Sequence, residues 1–160
     1  MKKYKSLIII VLISLVCFGL DLLTKRIAIS NLVEGNRKEL INNFFYLTLC
    51  YNTGGAWSIF SGNVVFLIII SLFALGTIIY TMIKSKSNFY KYSSAMFIGG
   101  LIGNLVDRIF FRKVTDFLDF IIFGYDFPVF NVADTFICIG VVLMLIAVIK
   151  EEKHDGTVSA

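Results

Sequence analysis

Hydrophobic and polar positions divide the chain into four long apolar runs joined by more polar segments. The runs cover residues 6–29, 64–83, 93–111 and 132–149. Each is close to the ~20 residues that an α-helix needs to cross a ~30 Å hydrocarbon core. The pattern therefore predicts four membrane-spanning helices in a single integral membrane domain over residues 1–160. Two longer segments, 30–63 and 112–131, separate the first run from the second and the third from the fourth.

The two longer segments carry signs of structure of their own. Phe45, Leu47 and Leu49 alternate with the more polar Tyr46, Thr48 and Cys50, which predicts a short strand. The Asn-Thr-Gly-Gly sequence at 52–55 predicts a turn after it. Segment 112–131 is rich in aromatic residues, and we expect its Asp119 and Asp126 to lie in surface loops. Both segments suit an amphipathic layer on the bilayer surface.

Composition agrees with a membrane protein. The chain is 58% hydrophobic with a mean hydropathy of +0.84, above the roughly half-apolar composition of soluble domains. Its net charge of +4 comes mostly from Lys near the ends of apolar runs, with no basic stripe of the kind that binds nucleic acid. The three Cys are far apart and lack metal-binding spacing, so we interpret them as apolar packing residues.

The basic residues indicate an orientation. The first run follows Lys-rich residues and has an alternative interpretation as a signal peptide, but three more runs follow it. With a cytoplasmic N-terminus, eight Lys lie on the cytoplasmic side and seven Lys or Arg on the other side. Three of those seven, Lys25, Arg26 and Arg108, adjoin polar motifs at the ends of runs. The remaining balance favours cytoplasmic N- and C-termini.

The acidic residues cluster at one side of the predicted bundle. Eight of the eleven fall on the side opposite the C-terminal tail. Asp21, Asp107 and Asp134 lie at the ends of three different runs. A charge inside the bilayer boundary costs at least a few kcal/mol, so such residues usually pair or perform chemistry.

Polar residues near these ends recur at helical spacing. The pairs are Asp21 with Lys25, Asn104 with Asp107, and Asn131 with Asp134. The first pair suits an ion pair on one helix face, and Asn131 suits the N-cap of the fourth helix. Gly99 and Gly103 are spaced to let a neighbouring helix approach closely. Simpler interpretations remain: a snorkelling span end at Asp21–Lys25, and an interfacial ion pair of Asp107 with Arg108.

Elimination narrows the chemistry to carboxylates. The only His, His154, lies in the polar tail, which excludes a Ser-His-Asp triad and leaves the Cys without a base. A zinc-ligand set and a phosphate-binding loop are also missing. Two close Asp can share a proton and activate water without metal or cofactor. On predicted burial alone, Asp134 would pair with Asp107; a cation or proton path is the alternative use of the acids.

Five blocks of sequence carry a resemblance to a known family. They are Asp-Leu-Leu-Thr-Lys at 21–25, Asn-Thr-Gly at 52–54, Gly-Gly-Leu-Ile-Gly-Asn-Leu-Val-Asp-Arg at 99–108, Val-Thr-Asp-Phe at 114–117, and Phe-Pro-Val-Phe-Asn-Val-Ala-Asp at 127–134. In this order, and over nearly the whole chain, they resemble the bacterial lipoprotein signal peptidases, or signal peptidase II. Gly55 and Leu101 stand where that family often has Ala.

The resemblance implies an all-α membrane protein: four transmembrane helices with a small extracytoplasmic β-rich cradle. It further implies an aspartyl endopeptidase of the bacterial cytoplasmic membrane, acting near the outer surface. Its substrates would be diacylglyceryl-modified prolipoproteins, cut on the N-terminal side of the lipidated Cys. We expect membrane lipid as its surroundings, no cofactor or metal, no nucleic acid partner, and a monomer. The alternative is a non-catalytic membrane protein that binds ions or lipid through its carboxylates.

The same motifs assign roles to individual residues. Carried over by motif, the catalytic pair is Asp116 and Asp134, so the resemblance, and not predicted burial, selects Asp116. The residues expected to bind substrate or support the pair are Asp21, Lys25, Asn52, Gly54, Asn104, Asp107, Arg108 and Asn131.

Overall fold

The computed structural model describes the backbone of residues 2–158 and the side chains of residues 4–151, so the side chain of His154 lies outside the described part. Over these residues the chain folds into four long helices, four strands and one short 3₁₀ turn. In chain order they are α1 (Lys2–Asn31), β1 (Arg37–Ile41), β2 (Phe45–Asn52), the 3₁₀ turn (Ala56–Ser58), α2 (Val64–Lys84), α3 (Asn88–Phe111), β3 (Val114–Ile122), β4 (Tyr125–Asp126) and α4 (Val132–Val158).

The four helices contain the four predicted apolar runs. Each is long and apolar enough to cross a membrane, which confirms the predicted helical membrane fold. Helix α3 begins at Asn88, five residues before the predicted run, because the Ser87 hydroxyl accepts a hydrogen bond from the Tyr90 amide at 3.2 Å and caps the helix. It ends at Phe111, before Arg112 in the left-handed conformation.

Helix α3 lies at the centre of the bundle and contacts the other three helices. Small residues allow this close packing, as the spacing of its glycines predicts. A Cβ at Gly99 would lie 2.5 Å from the Ser14 carbonyl oxygen of α1. A Cβ at Gly100 would lie 2.5 Å from the Ala133 carbonyl oxygen of α4. Neighbouring glycines thus bring α1 and α4 against two sides of α3.

Helix α4 begins with a reciprocal cap. The Asn131 side-chain oxygen accepts a hydrogen bond from the Asp134 amide at 2.9 Å, and the Asp134 carboxylate accepts one from the Asn131 amide at 3.2 Å. This confirms Asn131 as the N-cap. The cap also fixes the Asp134 side chain at the first turn of α4.

The strands form one antiparallel sheet in the order β1-β2-β3-β4. Strand β2 confirms the predicted strand, whereas the apolar pattern alone did not indicate β3. In the β2–β3 register Cys50 lies opposite Asp116, and an irregularity separates this pair from Leu47 opposite Leu118. The sheet connects the end of α1 with α2, and the end of α3 with α4.

One sequence-based expectation about the sheet is wrong. Asp119 was expected in a surface loop, but it lies in β3 and is only 2% exposed. Its carboxylate pairs with Arg37 of β1, which compensates for its burial. Asp126 is in β4, and its side chain is largely exposed as expected.

Close helix packing gives a first prediction. Gly99→Ala places a methyl group against the α1 backbone, and we expect the free energy of unfolding to fall by about 1–3 kcal/mol. Thermal unfolding in detergent measures the effect. Gly76→Ala in α2 is the matched control, because no atom lies within 4 Å of the added Cβ. Equal stability of the two variants would contradict the packing described for α3.

Candidate active site

A buried lysine forms the base of the site. Lys25 of α1 is 3% exposed, and its ammonium lies 2.8 Å from the Asp21 carboxylate and 3.1 Å from the Asp107 carboxylate of α3. The Asp21–Lys25 pair confirms the ion pair predicted from the spacing. The pair is buried, so the alternative interpretation of Asp21–Lys25 as a snorkelling span end is wrong. The interpretation of Asp107 and Arg108 as an ion pair is also wrong, because Asp107 pairs with Lys25. Removing one member of such a cluster leaves an uncompensated buried charge, which typically costs about 3–5 kcal/mol.

The two aspartates of this cluster also hold backbone groups. Asp21 accepts a hydrogen bond from the Ala133 amide of α4 at 2.9 Å. Asp107 accepts one from the Thr115 amide of β3 at 3.1 Å. The ion cluster therefore connects α1 and α3 to the starts of α4 and β3. These are the two elements that carry Asp134 and Asp116.

Two asparagine side chains connect the ion cluster to the remaining carboxylates. The Asn104 oxygen accepts hydrogen bonds from Lys25 at 3.0 Å and from the Asn131 amide group at 3.1 Å. Because an ammonium only donates, this contact turns the Asn104 nitrogen the other way, and it donates to Asp134 at 2.7 Å. Asn131 in turn donates to Asp116 at 2.6 Å. Each carboxylate thus receives a hydrogen bond from an asparagine side chain, and Asp134 also accepts one from the Asn131 backbone amide.

Asp116 and Asp134 line the same cavity, which has a volume of about 770 Å³. Asp116 is 2% exposed and comes from β3, whereas Asp134 comes from the first turn of α4. Asp107 does not line this cavity, since it faces Lys25 and the Thr115 amide. The pairing of Asp134 with Asp107, expected from burial alone, is therefore wrong, whereas Asp116 and Asp134, the residues selected by the resemblance, line one cavity.

The turn after β2 covers the cavity. The Asn52 side chain accepts a hydrogen bond from the Gly54 amide at 2.8 Å and donates one to the Gly55 carbonyl at 3.2 Å. Arg108 of α3 donates to the Gly54 carbonyl at 2.9 Å. A Cβ at Gly54 would lie 2.7 Å from the Ser58 backbone, so this turn requires glycine. At Gly55 the nearest contacts would be 3.6 Å, so the departure from Ala costs no packing.

Arg108 retains an unused donor. Its Nε is buried, and among the described side chains it is the one buried nitrogen or oxygen without a hydrogen-bond partner. Its guanidinium lines the cavity with both carboxylates. A bound group that accepts a hydrogen bond would relieve the cost of this unpaired N–H.

The electrostatics of the site favour a protonated carboxyl. Burial raises the pKa of Asp116, and the nearby Asp134 carboxylate raises it further, to about 7 from the usual 3.8. The hydrogen bond from Asn131 acts in the opposite direction and lowers the pKa. Two acids in one poorly solvated cavity therefore retain a proton at a pH where exposed acids lose it.

Sequence reasoning missed much of the cavity wall. Cys50 faces the cavity from β2, and Trp57, Phe130 and Ile137 add apolar surface. Trp57 belongs to the 3₁₀ turn, which no apolar pattern indicated. Cys50 was interpreted as a packing residue, and burial does raise the pKa of its thiol to about 11. The sequence did place Cys50 at the end of a predicted strand, two residues before Asn52, and this position could have indicated that Cys50 lines the site.

Comparisons with known proteins agree with the geometry. A family model described as "Signal peptidase (SPase) II" matches residues 13–150. The chain belongs to the signal peptidase II family. A lipoprotein signal peptidase of Listeria monocytogenes serotype 4a is 41% identical over 144 residues, covering 89% of this chain and 94% of that protein. One of Staphylococcus carnosus is 36% identical over 157 residues, covering 97% and 99%.

A solved structure shares the fold as well as the sequence. A bacterial membrane enzyme determined by the in meso method at 2.3 Å resolution superposes with a TM-score of 0.84 and is 36% identical. The match covers 91% of this chain and 90% of that one. As a signal peptidase II family member with four span-length helices, the chain is a multi-pass bacterial membrane peptidase.

The raised pKa of Asp116 predicts a stability gain on neutralisation. A carboxyl whose pKa rises on folding loses stability as the pH climbs from the unfolded value of 3.8 through about 7. Ionised Asp116 then costs on the order of 4 kcal/mol, from about three pKa units. Asp116→Asn should therefore raise the melting temperature, and more at about pH 8 than at about pH 5.

Thermal unfolding at the two pH values measures this gain. Glu39→Gln, an exposed change on β1, is the control and should show no pH-dependent gain. A gain for Asp116→Asn that is the same at both pH values would contradict the raised pKa.

Proposed function

We propose that this family member is an aspartic endopeptidase whose catalytic pair is Asp116 and Asp134. Its substrates are prolipoproteins that carry diacylglycerol on a Cys, and it cleaves the signal peptide on the N-terminal side of that Cys. The observation that carries the proposal is the meeting of two carboxylates from β3 and α4 in one cavity, each held by an asparagine.

The proposed mechanism uses one proton shared by the pair. With a pKa near 7 for Asp116, the pair holds a proton at neutral pH. The ionised carboxylate takes a proton from water as the water oxygen attacks the scissile carbonyl carbon, and the protonated carboxyl hydrogen-bonds the carbonyl oxygen as its charge develops. The tetrahedral intermediate then collapses as a proton passes to the leaving amine. Asn104 and Asn131 keep the carboxylates oriented through these steps.

The remaining site residues have supporting roles in this proposal. Lys25, Asp21 and Asp107 set the relative positions of the elements that carry the pair. Asn52 and Gly54 shape the turn above the cavity, and the free Nε–H of Arg108 is suited to a substrate carbonyl. The substrate supplies the acceptor that the buried Nε–H of Arg108 lacks.

The shape of the cavity suits a lipid-bearing peptide. Its lining combines the two carboxylates and Asn104 with apolar side chains that include Val114, Phe130 and Ile137. It also reaches Cys138 and Ile139 on the exposed side of α4. We infer that the acyl chains leave the site towards lipid along this side. Water then reaches the carboxylates while the acyl chains stay in apolar surroundings.

We also propose cytoplasmic N- and C-termini, an active site near the outer surface, a single domain and a monomer. The Lys-rich ends of the chain support this orientation. The sheet joins the helix ends opposite the termini, because it follows α1 and α3 in the chain. A non-catalytic protein that binds ions or lipid is not favoured, because the chain belongs to a peptidase family.

Cleavage of a diacylglyceryl-modified prolipoprotein by the purified protein tests the proposal. Asp116→Asn and Asp134→Asn should each lower kcat by at least about a hundredfold, because each removes a group that holds or accepts the reacting proton. Exposed Glu39→Gln should cleave at the wild-type rate. Cleavage by either Asn variant at the wild-type rate would overturn the assignment, and equal cleavage of an unlipidated substrate would overturn the substrate class.

The rate should also depend on pH in a defined direction. The pair needs one proton, and the pKa of Asp116 near 7 means that the proton is lost as the pH rises above neutrality. We expect kcat/KM to fall by up to about tenfold per pH unit above roughly pH 7–8. Rate measurements on protein shown to stay folded over the range check this. A rate that keeps rising beyond pH 9 would contradict it.

A further inference from the structure

A second polar cluster lies on the sheet, away from the carboxylate pair. Arg37 of β1 donates hydrogen bonds to Asp119 of β3 and to Asp126 of β4, the shortest being 2.5 Å to each. The Thr48 hydroxyl also donates to Asp119 at 2.5 Å. The Arg37 guanidinium lies 4.4 Å from the centre of the Tyr46 ring. One side chain from the first strand thus reaches across the sheet to the last.

This cluster occupies the reverse face of the sheet. Successive side chains of a strand point to opposite faces, so Asp119 and Asp116, three residues apart in β3, face opposite ways. Asp116 lines the cavity, whereas Asp119 is bound by Arg37. Among the described residues Arg37 has no hydrogen bond to either Asp116 or Asp134, so its effect on the site is indirect.

The segment after β4 lies between Arg37 and the active-site cavity, and we call residues 127–130 the cavity wall. Its residues Phe127, Pro128 and Val129 line the active-site cavity on one side. On the other side they line a second cavity of about 370 Å³, which Arg37 also borders. Phe130 stacks on Phe120 with ring centres 5.7 Å apart, and Phe127 packs edge-on against Trp57 at 6.1 Å. Pro128 and Val129 lie between these two anchors with a cavity on each side, so their position depends on how the ends of the wall are held.

The anchoring comes at Asp126, the residue before the wall. The Phe127 amide donates to the Phe120 carbonyl at 2.9 Å, and the Phe130 amide to the Leu118 carbonyl at 3.0 Å. Arg37 holds Asp126 beside them, and its other partner, Asp119, is buried and fixed in β3. At the far end of the wall, Asn131 is already held by Asn104 and Asp116.

We propose that Arg37 is a positioning residue that fastens the cavity wall at residues 127–130 to the sheet and so sets the affinity for substrate. The effect of Arg37 on substrate affinity rests on the proposed function, whereas its effect on the wall does not. Because Asn131 is held independently, the carboxylate pair stays in place when Arg37 is removed. Losing Arg37 therefore weakens substrate binding and leaves the chemical step nearly unchanged.

The test compares Arg37→Ala with Lys38→Ala, whose side chain comes from the same exposed strand and forms no hydrogen bond or ion pair among the described residues. For Arg37→Ala we expect a KM about three- to tenfold higher with kcat within about twofold, measured on protein shown to be folded because buried Asp119 loses its cation. Arg37→Lys keeps one charge and should recover part of the loss. Unchanged KM, the same change in Lys38→Ala, or equal changes in kcat and KM would overturn the proposal.

Hydrogen exchange separates this inference from the proposed function. The amides of Phe127 and Phe130 should exchange faster in Arg37→Ala than in wild type, while the helix amides are unchanged. This readout decides about the wall even if the protein cleaves no prolipoprotein. Asp126→Asn removes the exposed ion pair and keeps Asp119 paired, so it provides a second variant if Arg37→Ala fails to fold. Exchange at the wall that is unaltered in Asp126→Asn would also overturn the proposal.

Discussion

The contact on which the site depends is the buried ammonium of Lys25 between two carboxylates and one amide. A charge in a poorly solvated bundle requires compensation, and here the compensating groups come from two different helices. The same carboxylates accept backbone hydrogen bonds from the starts of α4 and β3. One electrostatic requirement therefore determines how four elements meet.

The orientation of the asparagines follows from that contact. Because Lys25 occupies the Asn104 oxygen, the Asn104 nitrogen points to Asp134, and Asn131 reaches Asp116. The carboxylates are thus fixed by groups that donate but carry no charge. Burial keeps the pKa of Asp116 high, and the amide hydrogen bonds limit the rise.

The sequence pattern predicted the features that depend on residues close together in the chain. Hydropathy located the four helices, residue spacing found the Asp21–Lys25 pair, and N-cap chemistry identified Asn131. The sheet and the cavity depend on contacts between residues far apart in the chain, which a local sequence pattern does not predict. Asp119 was expected at the surface because its partner, Arg37, lies 82 residues away in the chain. Asp116 was identified only through resemblance, since an acid in an apolar strand has no periodic signal of its own.

The proposed chemistry requires that Asp116 and Asp134 share one proton near neutral pH. NMR titration of the protein with ¹³C-labelled aspartate carboxyl groups measures this directly, with Asp116→Asn to assign the signal. We expect one carboxyl to titrate near pH 7 in the wild type and this transition to be absent in Asp116→Asn. If every aspartate of the folded protein titrated near the usual value of about 4, the account would be contradicted.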